Sequence, residues 1–106
     1  MSESDPSTSL AASLESAWLV EATYAPDAAE ARAPFRAEHL ARVRERLADG
    51  TFLLAGAFTD VSSSVVVVRA ASEEEALDLC RDDVYLRNGI WVELRARAFG
   101  VVRPRE

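Results

Sequence analysis

Alternating apolar and polar positions mark the first ordered element of the chain. From Trp18 to Tyr24 one set of alternate positions reads Trp, Val, Ala and Tyr, which is typical of a β-strand with one buried face. Residues 1–16 are rich in Ser, Ala, Asp and Glu and lack this periodicity, so they bury too little surface to offset the entropy of ordering. We therefore predict a disordered tail over residues 1–16, dispensable for stability, and one folded domain over residues 17–106.

Two segments carry the signals of helices. In residues 34–49 apolar side chains recur every three or four positions, and Gly50 follows as a helix-ending residue. Ser72 and Glu75 form a capping-box pattern at the start of a shorter second helix, which closes near Asp83. The sequence thus predicts one long helix and one short helix.

The remaining apolar segments predict three further strands. Residues 52–58 and the valine-rich residues 64–70 flank a turn and so predict a hairpin. A last strand over residues 91–102 follows the Asn88-Gly89 turn. The order βαββαβ is that of the ferredoxin-like α+β fold, in which the third strand lies between the parallel first and second strands and both helices cover one face.

The uncovered face of this sheet bears on assembly. The second strand is apolar at both sets of alternate positions, and we assign Leu53, Ala55 and Ala57 to the face that no helix covers. An exposed apolar sheet face normally marks an interface. We therefore expect a homodimer that forms through the helix-free face.

Composition narrows the classes of partner. The 106-residue chain is 49% apolar and 28% charged, values that are ordinary for one globular domain. Its formal net charge of -6 provides no overall attraction for nucleic acid. The apolar run from Val65 to Val68 cannot span a bilayer, and the N-terminal residues show no export-signal pattern. We expect a cytoplasmic protein with neither a nucleic-acid nor a membrane partner.

Cysteine and histidine content limits the available chemistry. Cys80 is the single cysteine and His39 the single histidine, so one chain cannot form an internal disulfide or a Cys/His zinc site. We expect no metal and no cofactor. Cys80 lies on the apolar stripe of the second helix and is predicted to be a buried small hydrophobic residue.

Chain direction brings candidate site residues to one end of the sheet. That end receives Tyr24, Arg36, His39, Asp60, Ser62, Asp83 and Tyr85. On a wheel of about 100° per residue, His39 falls inside the apolar stripe of the first helix and should face the sheet. Its ring nitrogens need a partner, and the carboxylate of Asp60, from the parallel second strand, is the best placed candidate. The sequence therefore predicts a His39–Asp60 pair.

Each of these residues also has a plain structural interpretation. His39 can be a hydrogen-bonded core residue, and Asp60 a turn residue that bonds its own backbone. Arg36 shares the face of His39 and could hold an anionic group, or it could be a solvated helix residue. Asp83 fits a helix terminator, and the aromatic residues Tyr24, Tyr85 and Trp91 fit core or rim positions that could touch a ligand. Spacing alone leaves both interpretations open.

Two segments of the chain resemble the YCII (YciI-like) family. They are HLARVRERLADGTFLLAGAFTD, residues 39–60, and SEEEALDLCRDDVYLRNGIW, residues 72–91. The most specific features are the helical His39, the Gly56-x-x-Thr59-Asp60 end of the second strand, and the Asp82-Asp83-x-aromatic segment with Gly89 after it. The chain departs from the family pattern at Ala57 and Val84, where proline is common, and at Val61.

The resemblance implies a dimeric α+β barrel of ferredoxin-like protomers with His39 and Asp60 as the active-site pair. Some relatives look like enzymes that act on chlorinated or hydroxylated aromatic rings, a dehydrochlorinase among them. The leading hypothesis is a cofactor-free lyase or isomerase in which His39 moves a proton and Asp60 orients the ring. A small aromatic or acidic metabolite would then be bound by Arg36, Tyr24, Ser62, Asp83 and Tyr85. The alternative is a non-catalytic small-molecule-binding or accessory dimeric module, and fold likeness does not choose between the two.

Overall fold

Four strands form one antiparallel sheet in the computed structural model, which describes residues 12–104. The elements are β1 (Ala12–Tyr24), α1 (Ala28–Ala31), a 3₁₀ helix (Ala33–Phe35), α2 (Arg36–Asp49), β2 (Phe52–Ala57), β3 (Ser63–Val68), α3 (Glu73–Arg81), α4 (Val84–Arg87) and β4 (Trp91–Pro104). The strand order is β2-β3-β1-β4, and each neighbouring pair is antiparallel. β1 and β2 are therefore parallel with β3 between them, which confirms the predicted ferredoxin-like α+β fold.

The two longer helices pack on one face of this sheet. Val20 of β1 lies opposite Val66 of β3, and both are buried in one cluster with Ala76 and Cys80 of α3. Val43 of α2 packs against the same cluster. Each fully buried valine stabilises the fold by about 2 kcal/mol through the surface it removes from water. The core therefore lies between the sheet and the helices.

β1 begins earlier than the sequence pattern indicates. Residues 12–16 belong to β1 and pair with residues 100–104 of β4. The carboxylate of Glu15 also forms ion pairs with Arg69 and Arg103. The predicted tail is thus wrong for residues 12–16, while residues 1–11 lie outside the described part of the chain. Periodicity missed this segment because its order comes from backbone pairing and charge pairs more than from burial.

A β-bulge sets which side chains of β2 face the helices. Phe52 lies opposite Val68, but Leu54 lies opposite Val67, so Leu53 is an extra residue at the register shift. One extra residue moves every following side chain to the other face of the sheet. Ala55 and Ala57 consequently share the face of the helices, and their predicted place on the helix-free face is wrong.

The end of α2 requires a glycine. Gly50 has a φ of 86° in the left-handed region, and its backbone N–H bonds to the carbonyl of Leu47. A Cβ atom at this position would lie 2.9 Å from Nη1 of Arg69, which donates to the Gly50 carbonyl. Glycine is the residue that tolerates this backbone conformation without steric cost.

Replacing Gly50 by alanine should therefore destabilise the protein by about 1–2 kcal/mol, because the added Cβ strains a left-handed residue and displaces Arg69. Gly56→Ala is the matched control: Gly56 lies in β2 and has no atom within 4 Å of a built Cβ, so its effect should stay within about 0.5 kcal/mol. Urea unfolding of both variants measures the difference. Equal losses in the two variants would contradict the assignment of Gly50 as the helix cap.

Candidate functional site

A cavity of about 300 Å³ lies between α2 and the sheet. This volume is at the lower end of the range for small-molecule pockets. Apolar side chains from β2, β3 and α2 form part of its wall. The polar side chains on the wall include Arg32, Arg36, His39, Arg42, Ser64 and Asp83.

His39 and Asp83 form the central pair of this cavity. Nδ1 of His39 lies 2.9 Å from Oδ1 and 3.0 Å from Oδ2 of Asp83. His39 is the one buried residue of α2, and Asp83 is only 1% exposed. Two polar side chains that are distant in sequence thus satisfy each other in the interior, as buried polar groups must.

The Asp83 carboxylate also organises the backbone around it. Asp83 is the N-cap of α4, and its Oδ1 accepts the backbone N–H of Tyr85 at 2.8 Å. Nη1 of Arg42 lies 3.6 Å from its Oδ2, and Nη2 of Arg42 donates to the carbonyl of Leu79. The interpretation of Asp83 as a residue at a helix boundary accounts for its cap. Its bond to His39 is a long-range contact that spacing could not reveal.

Aromatic rings hold the imidazole on two sides. The His39 ring stacks on Tyr85 with 3.9 Å between centroids and an angle of 7° between planes. Trp91 stands perpendicular to His39 at 5.4 Å. Tyr24 lies edge-on to Tyr85 at 6.3 Å. The imidazole is therefore fixed in orientation by ring packing as well as by Asp83.

The cavity wall is cationic although the whole chain is acidic. Arg32, Arg36 and Arg42 line it together with the single carboxylate of Asp83, whereas the chain carries a formal charge of -6. The guanidinium of Arg32 also lies over the Tyr24 ring, 5.9 Å from its centroid. Such an excess of fixed positive charge in a partly enclosed space favours an anionic ligand.

Burial sets the protonation of two other side chains in the wall. Burial raises the pKa of Tyr85, although Arg32 and Arg36 oppose this shift. Burial likewise raises the pKa of the Cys80 thiol from 9.0 to about 12. Because a thiol in this state carries almost no thiolate at neutral pH, Cys80 is poorly suited to act as a nucleophile. Both groups therefore stay neutral in the cavity wall.

Asp60 and Ser62 do not belong to this cavity. Oδ1 of Asp60 accepts the backbone N–H of Ser62 at 3.0 Å, and hydrogen bonding to the side chain and the backbone of Ser62 lowers the pKa of the exposed Asp60 carboxyl group. The carbonyl of Ser62 accepts the backbone N–H of Tyr24. The predicted His39–Asp60 pair is therefore wrong for the protomer. β2 ends at Ala57, so Asp60 lies in the turn that follows, where Val61 has a φ of 57°. The Asp60 carboxylate stabilises this turn through its bond to Ser62.

The other predicted ligand-binding residues do meet at the cavity. Tyr24, Arg36, Asp83 and Tyr85 all line it with His39. Chain direction was sufficient to bring them to the same end of the sheet.

Sequence reasoning missed Arg42 and Arg32. On a helical wheel Arg42 lies only about 20° from Phe35, an apolar residue that packs against the core, so its half-buried position was visible in the pattern. Arg32 lies at the end of α1, a four-residue helix that carried no sequence signal.

Asp83→Ala should destabilise the protein by about 3–5 kcal/mol, because it leaves buried donors on His39, Arg42 and the α4 backbone without their acceptor. Asp60→Ala removes one exposed turn contact and should cost far less. Urea unfolding of the two variants side by side tests this ranking. A loss for Asp60→Ala as large as that for Asp83→Ala would refute the central role given to Asp83.

The helices and side-chain clusters of residues 12–104 bear on membrane and metal sites. No helix of this part is both long and apolar enough to cross a membrane. No group of three or more His, Cys, Asp and Glu side chains in the described residues is arranged to hold a metal ion.

Comparison with solved structures places the fold. The chain is similar to 5-chloro-2-hydroxyhydroquinone dehydrochlorinase from Burkholderia phenoliruptrix, solved in complex with 2,5-dihydroxybenzoquinone. The TM-score is 0.67 at 17% sequence identity, over 78% of this chain and 92% of the dehydrochlorinase chain. At this identity the likeness establishes a shared fold.

Comparison with families and with curated proteins completes the assignment. No curated protein matches the chain. The family described as YCII-related domain matches residues 17–99, which is most of the chain and includes His39 and Asp83. The protein is therefore a member of the YCII-related family.

Proposed function

We propose that this protein is a cofactor-free lyase or isomerase that acts on a small, planar, anionic metabolite. One observation carries the proposal: His39 lines the cavity, its Nδ1 is held by Asp83, and its Nε2 has no hydrogen-bond partner among residues 12–104. A histidine that serves only the core would have both ring nitrogens satisfied. Nε2 is the atom available to a ligand.

The contact with Asp83 selects the reactive tautomer of His39. An ionised carboxylate is only an acceptor, so Nδ1 must carry the proton in this bond. In the neutral ring Nε2 then has a free lone pair and acts as a base. When Nε2 gains a proton, the adjacent carboxylate stabilises the imidazolium. Asp83 takes the orienting role that the sequence assigned to Asp60.

The proposed proton transfers balance without a cofactor. Nε2 of His39 removes a proton from the substrate, and the electron pair left behind forms a new double bond. In an elimination this pair expels a leaving group as an anion, and the imidazolium later releases its proton to solvent. In an isomerisation the same proton returns to a different atom of the substrate, and no group leaves.

The charge of the wall supports an anionic substrate. Arg36 and Arg32 line the cavity with Tyr24 and Tyr85. The positive charge of both arginines opposes the rise in the pKa of Tyr85 that burial causes. Their guanidinium groups can balance an enolate, phenolate or carboxylate, including negative charge that develops during proton removal. The similar dehydrochlorinase was solved with 2,5-dihydroxybenzoquinone, an acidic planar ring, and this compound is a suitable first probe.

His39→Asn provides the test of the catalytic role. Asparagine places an amide N–H near the position of Nδ1–H and keeps the bond to Asp83, but it deletes Nε2. We expect turnover to fall at least about 10²-fold, while the Kd for 2,5-dihydroxybenzoquinone changes less than about tenfold. Small phenolic and keto-acid compounds, ranked by thermal shift and then assayed for turnover, supply the substrate.

Asp60→Asn is the control for this experiment and should leave turnover unchanged, since Asp60 lies outside the cavity wall. Undiminished turnover by the His39 variant would end the proposal. Tight binding of several compounds with turnover of none would favour the non-catalytic binding module instead.

We also propose that two protomers associate through the helix-free face. On this face Leu54 and Leu19 flank Val67 in neighbouring strands, and Leu54 is 60% exposed. An ion pair between Glu21 and Arg95 borders this patch. Contiguous apolar side chains in this position favour a partner surface over water.

Leu54→Arg should convert the dimer to a monomer at micromolar concentration, because it would place an unpaired charge in the interface. Leu47→Arg is the matched control, since Leu47 is also exposed but lies on α2. Sedimentation measures both variants and the parent protein. A monomeric parent protein, or an intact dimer of the Leu54 variant, would refute this interface.

A further inference from the structure

One polar atom on a residue of the cavity wall lacks a partner. Trp91 lines the cavity and is only 5% exposed. Its indole Nε1 is buried and makes no hydrogen bond within the described residues. Folded proteins rarely leave a buried N–H without an acceptor, because its contact with water has been lost.

The neighbouring aromatic faces do not supply that acceptor. His39 and Tyr85 stack with 3.9 Å between their centroids, and Trp91 lies at 5.4 Å from His39 and 5.7 Å from Tyr85. A ring that is nearly equidistant from both members of a stack stands beside the stack, so it faces their edges. One electron-rich face of each ring is turned toward the other, and Trp91 lies beside both rings and over neither face.

A second buried nitrogen in the same wall is a different case. Nη1 of Arg42 also lacks a hydrogen bond among the described residues, but it lies 3.6 Å from the carboxylate of Asp83 and forms an ion pair with it. Trp91 has no such charge partner in residues 12–104. Of the two buried nitrogens, the Trp91 donor is therefore the one with neither a hydrogen bond nor a charge partner in the described residues.

We infer that the indole N–H of Trp91 donates a hydrogen bond to an oxygen atom of the ligand. Trp91 is then a specificity-determining residue of the reaction proposed above, and the inference rests on that proposal. A neutral, rigid donor adds no net charge, so it complements the arginines by setting the orientation of the ligand. It selects a carbonyl, hydroxyl or phenolate oxygen beside His39 over a carbon or halogen substituent.

The indole resonance of the unmodified protein gives the first test. The chain has two tryptophans, Trp18 and Trp91, and Trp18→Phe assigns their two Nε1–H signals in a ¹H–¹⁵N spectrum. On titration with 2,5-dihydroxybenzoquinone, the Trp91 signal should move downfield as its N–H gains an acceptor. The Trp18 signal should stay in place.

Substitution gives the second test. Trp91→Phe keeps an aromatic ring beside His39 and Tyr85 but removes the donor, and it should weaken binding of this probe about three- to tenfold, as expected for one lost hydrogen bond. Trp18→Phe is the matched control and should bind with the parent Kd. Both constants are measured by calorimetry.

The outcomes separate this inference from the proposed function. Binding that depends on His39 or the arginines, with an unmoved Trp91 signal and an unchanged Kd for Trp91→Phe, overturns the role of Trp91 alone. No binding of the probe by the parent protein counts against both. A downfield shift together with the weaker Kd supports the assignment.

Discussion

The buried carboxylate of Asp83 is the contact on which the rest of the site depends. It accepts from the ring of His39 and from the backbone of α4, and it faces Arg42. An acceptor surrounded by donors from separate elements holds those elements in one arrangement. Since His39 is the one buried residue of α2, the same contact both anchors that helix and orients the proposed base. Stability and the proposed chemistry share this group.

The charge distribution affects the approach of a ligand and its binding in the cavity in different ways. The chain is acidic overall, with a formal charge of -6, while arginines dominate the polar wall of the cavity. Screening at physiological ionic strength limits each field to roughly 8 Å. An anion therefore gains little from the distant field and most from contacts made after it enters. We expect retention in the cavity, more than electrostatic steering, to set its affinity.

Sequence reasoning reached the fold and the place of the site but not the internal pairing. Periodicity and caps were local signals, so they located both longer helices and the order of the strands, and chain direction then collected Tyr24, Arg36, His39, Asp83 and Tyr85 at one end. The five-residue turn between β2 and β3 holds Asp60 outside the cavity, and His39 pairs with Asp83 instead. Chain direction alone does not specify the path of this turn. Backbone pairing of residues 12–16 left no mark in hydrophobicity. Both features depend on strand register and turn geometry, and local sequence signals do not reveal them.

The bulge at Leu53 has a consequence for how this fold can change. Consecutive residues of β2 serve different purposes, because Ala55 and Ala57 contribute small side chains to the cavity while Leu54 faces outward. If the extra residue lay in the hairpin turn instead of at Leu53, Leu54 would pair with Val66 and turn inward where alanines now leave space. The position of the bulge, and not only residue identity, therefore controls the size of molecule that the cavity can admit.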